Sequence, residues 1–290
     1  MTLFLNFRVA RVGGAVATTP ATQKSESRFA LSPMDKESFK RTLAGRDILF
    51  VTHGYNNNQS EGACALARLE VLLDLPSSAV FVGILWPGDS HAGFISYPVE
   101  KPTANYVGRH LAAFCNRELR EAASFSFASH SLGARVVLET IRRLDQPTRS
   151  ACLMAAAIEN SCLEKEYADA FAKIEHTYVL ASENDLILRL AFPLGNFVGH
   201  LLEPTSNPRS AALGFRGPLR AIGGVERPWQ IENSGAYEHG NYLPSSDPDE
   251  DFPPVKPSRI TKKYLDSVKC LKPSDFVRRA FNLERQSWPV

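Results

Sequence analysis

Short apolar runs recur along the chain, each ending at a turn former and each followed by apolar side chains at helical spacing. Asp47-Ile48-Leu49-Phe50-Val51-Thr52 breaks at His53-Gly54; after a polar loop, Leu66, Leu69, Leu72 and Leu73 mark a helix that stops at Pro76. Val80 to Leu85 ends at Trp86-Pro87-Gly88, and Tyr106, Val107, His110, Leu111 and Phe114 follow on a helical face. A third round runs from Ser124 to Ser129, then into a helix carrying Val136, Val137, Ile141 and Leu144. Ala151 to Ile158 and Thr177 to Ala181 extend the series. Strands alternating with helices connect as right-handed βαβ units, which predicts an α/β fold: a mainly parallel central sheet with helices on both faces. Ligands then bind beyond the carboxyl ends of the strands.

Other segments depart from that rhythm. Leu3 to Val9 reads as a strand at the sheet edge. Residues 1–246 form one expected domain, in which the apolar stretch Leu186 to Leu202, broken by Pro193, Gly195 and Gly199, opens a possible lid or cap insertion over 186–235. An ordinary core helix is the alternative for that stretch. An acidic, proline-rich connector occupies 247–257, and a helical tail, 258–290, carries Tyr264, Val268 and Leu271, then Phe276, Val277, Ala280 and Phe281, as two short amphipathic helices.

Composition narrows the function classes. With 33 basic and 31 acidic side chains the net charge is only +2, so no broad positive field exists to hold a nucleic-acid backbone. Five scattered cysteines without CxxC spacing point to neither zinc nor a disulfide framework, and so to a reducing, cytoplasmic setting. No signal peptide is read near Met1, and no apolar run is long enough for an integral membrane segment. HExxH, GxxxxGK[ST] and GxGxxG are absent, so no metal or organic cofactor is expected.

Ser129-His130-Ser131-Leu132-Gly133 lies between a predicted strand and a predicted helix, where a sharp turn lifts Ser131 into the open as a nucleophile. A helix N-cap serine is the plainer alternative. The helix start also supplies the amide of Leu132 to a developing oxyanion. Asp185, after the strand Thr177 to Ser182, is the candidate acid, unless it merely caps the next helix; Glu159 stands in reserve. His239, late in a turn-rich loop, is the candidate base in the order Ser, Asp, His, with His200 as its rival.

Together with His53-Gly54-Tyr55-Asn56, the strand ending at Trp86-Pro87, and Ser182-Glu183-Asn184-Asp185, this elbow resembles a bacterial α/β-hydrolase family of unassigned function. The likeness runs from near Ile48 to about His239 and implies the α/β-hydrolase fold, with Ser131, Asp185 and His239 as a triad. The loop after the first of these strands stands where that fold provides a second oxyanion donor, here the amide of Tyr55. His53 itself is expected to brace the loop. Trp86, Phe192 and Phe197 are expected to line the substrate pocket or its lid. The expected activity is hydrolysis of a small-molecule or lipid carboxylic ester, as in an esterase or lipase, with an acyltransferase, thioesterase or amidase as the same-site alternative. A non-catalytic scaffold binding a protein partner is the alternative from another class.

Overall fold

The computed structural model describes residues 1–12, 14–26, 30–89, 97–192, 210–219, 225–226, 237–247 and 249–284. A nine-stranded sheet organises them in the order β3-β2-β1-β5-β4-β6-β7-β8-β9. Its parallel part comprises β1 (Thr2–Arg8), β4 (Asp47–Thr52), β5 (Ala79–Leu85), β6 (Ser124–His130), β7 (Thr148–Met154), β8 (Ile174–Leu180) and β9 (Val225–Glu226). β2 (Val16–Ser25) and β3 (Leu31–Pro33) add antiparallel strands on one side.

That hairpin corrects the edge-strand expectation for β1. All seven residues of β1 are buried, with β5 on one flank and β2 on the other. Phe4 and Phe7 have no exposed surface, and each full burial contributes roughly 1.5–3 kcal/mol.

Helices α1 (Lys36–Leu43), α2 (Gln59–Leu73), α3 (Tyr97–Glu118), α4 (Gly133–Ile141), α5 (Ala168–Phe171) and α6 (Leu213–Arg216) connect the strands. α3 packs on α4, and α4 on α5, along one face. On the other, α2 packs beside α8 (Leu271–Phe281), which also covers β7 and β8. Phe276, Val277, Ala280 and Phe281 are the buried stripe of α8, so this part of the tail completes the core. The preceding α7 (Lys262–Val268) buries no residue fully: Tyr264, Ser267 and Val268 are partly covered, and Lys262, Asp266 and Lys269 pair along it. Among the described residues no helix is long and apolar enough to cross a membrane, and all five thiols are buried and unpaired.

Candidate active site

Strand β6 delivers Ser131 to the carboxyl edge of the sheet with φ at 54°, a left-handed conformation that costs a non-glycine residue about 1–3 kcal/mol. The end of β7 holds it there. The Ser131 N–H donates to the Met154 carbonyl at 3.0 Å, and its carbonyl accepts from the Ala157 N–H at 3.1 Å. Gly133 is required two residues on, because a Cβ there would lie 2.6 Å from the His53 carbonyl oxygen and 2.8 Å from Thr52 Cγ2. The turn therefore presses the start of α4 directly against the end of β4.

His239 opens a 3-10 turn, His239–Tyr242, and reaches back over Ser131. Its Nε2 lies 2.7 Å from Ser131 Oγ, and its Nδ1 lies 2.7 Å from Asp185 Oδ2. A carboxylate can only accept, so Nδ1 carries the proton and Nε2 is left bare toward the serine hydroxyl. Asp185 is fully buried, and its other oxygen, Oδ1, accepts from the Leu188 N–H at 3.0 Å. The two sequence readings of Asp185, helix cap and partner of a histidine, are both realised, one by each oxygen. Glu159 is not used in this line; its backbone bridges to Ala212 instead. His200 lies outside the described residues.

Opposite the imidazole, the loop after β4 is braced from within. Nδ1–H of His53 donates to the Gly54 carbonyl at 2.8 Å, and Nε2 accepts from the Trp86 N–H at 3.3 Å. Burial holds the pKa of this ring down to about 4, so it stays neutral and keeps both bonds. Trp86 is fully buried and stacks on His53 with ring centroids 5.8 Å apart, while its indole N–H donates to the His53 carbonyl. That corrects its assignment to the substrate pocket: Trp86 supports the loop from below. Asn58 and Glu61 form a capping box that ends the loop and starts α2.

Arg8, at the end of β1, was no part of the sequence-based site. Its buried guanidinium donates to the carbonyls of Trp86 (2.6 Å) and Asn57 (3.3 Å), and pairs with the Asp89 carboxylate. One side chain thus ties the loops after β4 and β5 together. The signal in the sequence was a single cation closing a strand that carries Leu3, Phe4, Leu5 and Phe7.

Ser131, His130 and His239 open into a cavity of about 450 Å³. Ile187, Leu188 and Phe192 form an apolar wall, and Tyr55 and Asn56 stand on the side of the β4 loop. Phe192 lines this cavity; Phe197 lies outside the described residues, as does most of the 186–235 insertion. Leu243 to Ser246 supply a further wall that the sequence did not suggest. Arg68 of α2 fastens this segment, donating to the carbonyls of Ser245 (2.8 Å) and Glu250, with its guanidinium 5.3 Å from the centroid of the Phe252 ring.

Residues 34–210 match the model of the family described as alpha/beta hydrolase of unknown function (DUF900). The chain belongs to this family. As an alpha/beta hydrolase of that family it inherits a fold and a general class of chemistry, but no substrate. No curated protein matches it. Among solved structures, it is similar to carboxyl esterase 2 (TmelEST2) from the mycorrhizal fungus Tuber melanosporum, at 12% identity and a TM-score of 0.42, over 99% of this chain and 89% of the other. A likeness that distant says nothing about the substrate of this alpha/beta hydrolase.

Proposed function

We propose that the protein is a serine hydrolase that cleaves a carboxylic ester through an acyl-enzyme on Ser131. The observation that carries this reading is the unbroken line from Ser131 Oγ through His239 to the buried Asp185, with 2.7 Å at each step. His239 Nε2 takes the hydroxyl proton as Oγ attacks the acyl carbonyl, and Asp185 stabilises the imidazolium that forms. The amides of Leu132, at the start of α4, and Tyr55 are the proposed donors to the oxyanion. Collapse expels the alcohol with a proton from His239. Water then attacks the acyl-enzyme by the same route in reverse, which restores Ser131. The apolar wall of Ile187, Leu188 and Phe192 suits an acyl chain. An alcohol or thiol entering in place of water would make the same acyl-enzyme a transferase, and product analysis separates the two. Five buried, unpaired thiols support a reducing, cytoplasmic setting for the enzyme.

The test is hydrolysis of p-nitrophenyl esters of increasing acyl length by wild type and Ser131→Ala. The expected loss on mutation is about 10⁴- to 10⁶-fold. A wild type that turns over no ester and takes up no fluorophosphonate label would favour a binding scaffold over an enzyme.

A further inference from the structure

We propose that His130 is a positioning residue that holds the main chain of His239 in reach of Ser131. The side chain of His239 reaches the site through Asp185 at Nδ1 and Ser131 at Nε2, and these two bonds fix the ring but not the main chain behind it. The second hold is on the backbone. Nε2 of His130 lies 2.8 Å from the His239 carbonyl oxygen, and because a carbonyl only accepts, Nε2 must carry the proton. The ring lies 4.8 Å from that of His239 and 5.9 Å from that of Tyr242, so it packs against the same loop it bonds.

The other edge of the ring faces the β4 loop. A Cβ on Gly54 would lie 2.8 Å from His130 Nδ1 and 2.9 Å from Ser131 Cβ, so the Gly54 backbone sits directly against this pair. One imidazole, on the residue next to Ser131, therefore touches both the loop offered to the oxyanion and the loop that presents the base. Neutrality suits this place. Burial, aided by the neighbouring His239, holds the ring's pKa down to about 3, so it adds no positive charge beside an imidazolium forming on His239. His130 exchanges no proton with Ser131 in this scheme; it acts through His239.

The kinetic part of the proposal rests on the acyl-enzyme reading, whereas the structural part does not, and the experiment separates them. In the full-length protein, His130→Phe keeps a ring but removes the N–H, and His130→Gln keeps a donor of similar reach. Hydrogen exchange is measured over Tyr237 to Leu243, with β7 as a control for intact folding. The expected result is at least about 5-fold faster exchange in His130→Phe and near-wild-type exchange in His130→Gln, since losing the bond loosens only the loop. On an ester turned over by wild type, kcat is expected to fall about 10- to 100-fold in His130→Phe with KM within about 3-fold, and to recover in part in His130→Gln. Equal exchange in all three proteins would overturn the proposal, as would faster loop exchange with unchanged kcat. If wild type proves inactive on esters and toward fluorophosphonate, the hydrolase reading falls while the exchange result still decides the hold on His239. Nitrogen NMR of wild type needs no variant: His130 is expected as the Nε2–H tautomer across neutral pH, and an Nδ1–H tautomer would sink the idea.

Discussion

Asp185→Asn separates the two jobs that Asp185 does with its two oxygens. The amide has one acceptor and one donor, whereas the site asks for two acceptors: Oδ1 toward the Leu188 N–H and Oδ2 toward the His239 Nδ1–H. If the amide oxygen faces His239, the amide NH₂ is driven against the Leu188 N–H, and a buried clash of donors costs about 1–3 kcal/mol. If the oxygen faces Leu188, the cap survives and the NH₂ donates to Nδ1, which requires His239 to shift its proton to Nε2. Every polar group is then satisfied, so this is the arrangement the variant should adopt. It is also the one in which His239 can no longer accept a proton from Ser131. The expected outcome is a fall in kcat of about 10⁴-fold, equivalent to about 5.4 kcal/mol of barrier, with a melting temperature within roughly 2 °C of wild type. Asp185→Ala, which loses the cap as well, should give a similar rate but cost an additional ~1 kcal/mol of stability. Ester hydrolysis and differential scanning calorimetry on the same preparations provide both readings. An Asp185→Asn protein within ten-fold of the wild-type rate and equally stable would refute the reasoning.

Other perturbations test the supports of the site. Arg8→Met strands the buried Asp89 carboxylate and several loop carbonyls, and should cost about 3–5 kcal/mol in urea unfolding; a loss below about 1 kcal/mol would show that the clamp is not holding the loops. His53 and His130 are kept neutral by burial, with pKa values of about 4 and about 3 against 6.5 for a free ring. The unfolded chain therefore binds more protons below pH 6.5, and the stability these rings contribute is complete above that pH. It is lost as pH falls toward about 4 and then about 3, at up to about 1.4 kcal/mol per pH unit for each ring. Unfolding free energy measured from pH 7 to 5 should decline, more shallowly in His130→Gln; a flat profile in wild type counts against the assignment. Phe192→Ala opens the apolar wall of the cavity and should shift the preferred acyl chain upward in length while costing about 3–5 kcal/mol of stability; an unchanged length profile removes Phe192 from the substrate-facing wall.

Much of the architecture was legible because it rests on burial. β4 and β5 are nearly continuous apolar runs, as are the later halves of β7 (Ala151 to Met154) and β8 (Tyr178 to Leu180), since a central parallel strand is covered on both faces; β6 alternates serine with Phe125 and Phe127, and Gly133 marks the turn because only a hydrogen fits against the His53 carbonyl. The hairpin of β2 and β3 left no such trace. Val16 to Ser25 is mostly polar, contains Pro20 and is only partly covered, so its backbone pairing with β1 is what makes it a strand. Trp86 misled for a related reason: a large aromatic after a strand suits a pocket as well as a prop, and only its stacking on His53 distinguishes the two. Pairings across the chain, such as Arg8 with Asp89 or His130 with the carbonyl of His239, depend on distance in space and have no periodic signature.

The placement of α8 separates, along the chain, the making of the candidate site from the covering of the core. A ribosome that has released residues up to Ser246 has already delivered the candidate Ser131, Asp185 and His239 and the Leu243 to Ser246 wall of the cavity. The apolar side chains of β7 and β8 beneath α8 still await Phe276, Val277, Ala280 and Phe281. Until those are made, the chain carries its candidate site on a body with an open greasy flank, the kind of surface that chaperones bind and that drives aggregation.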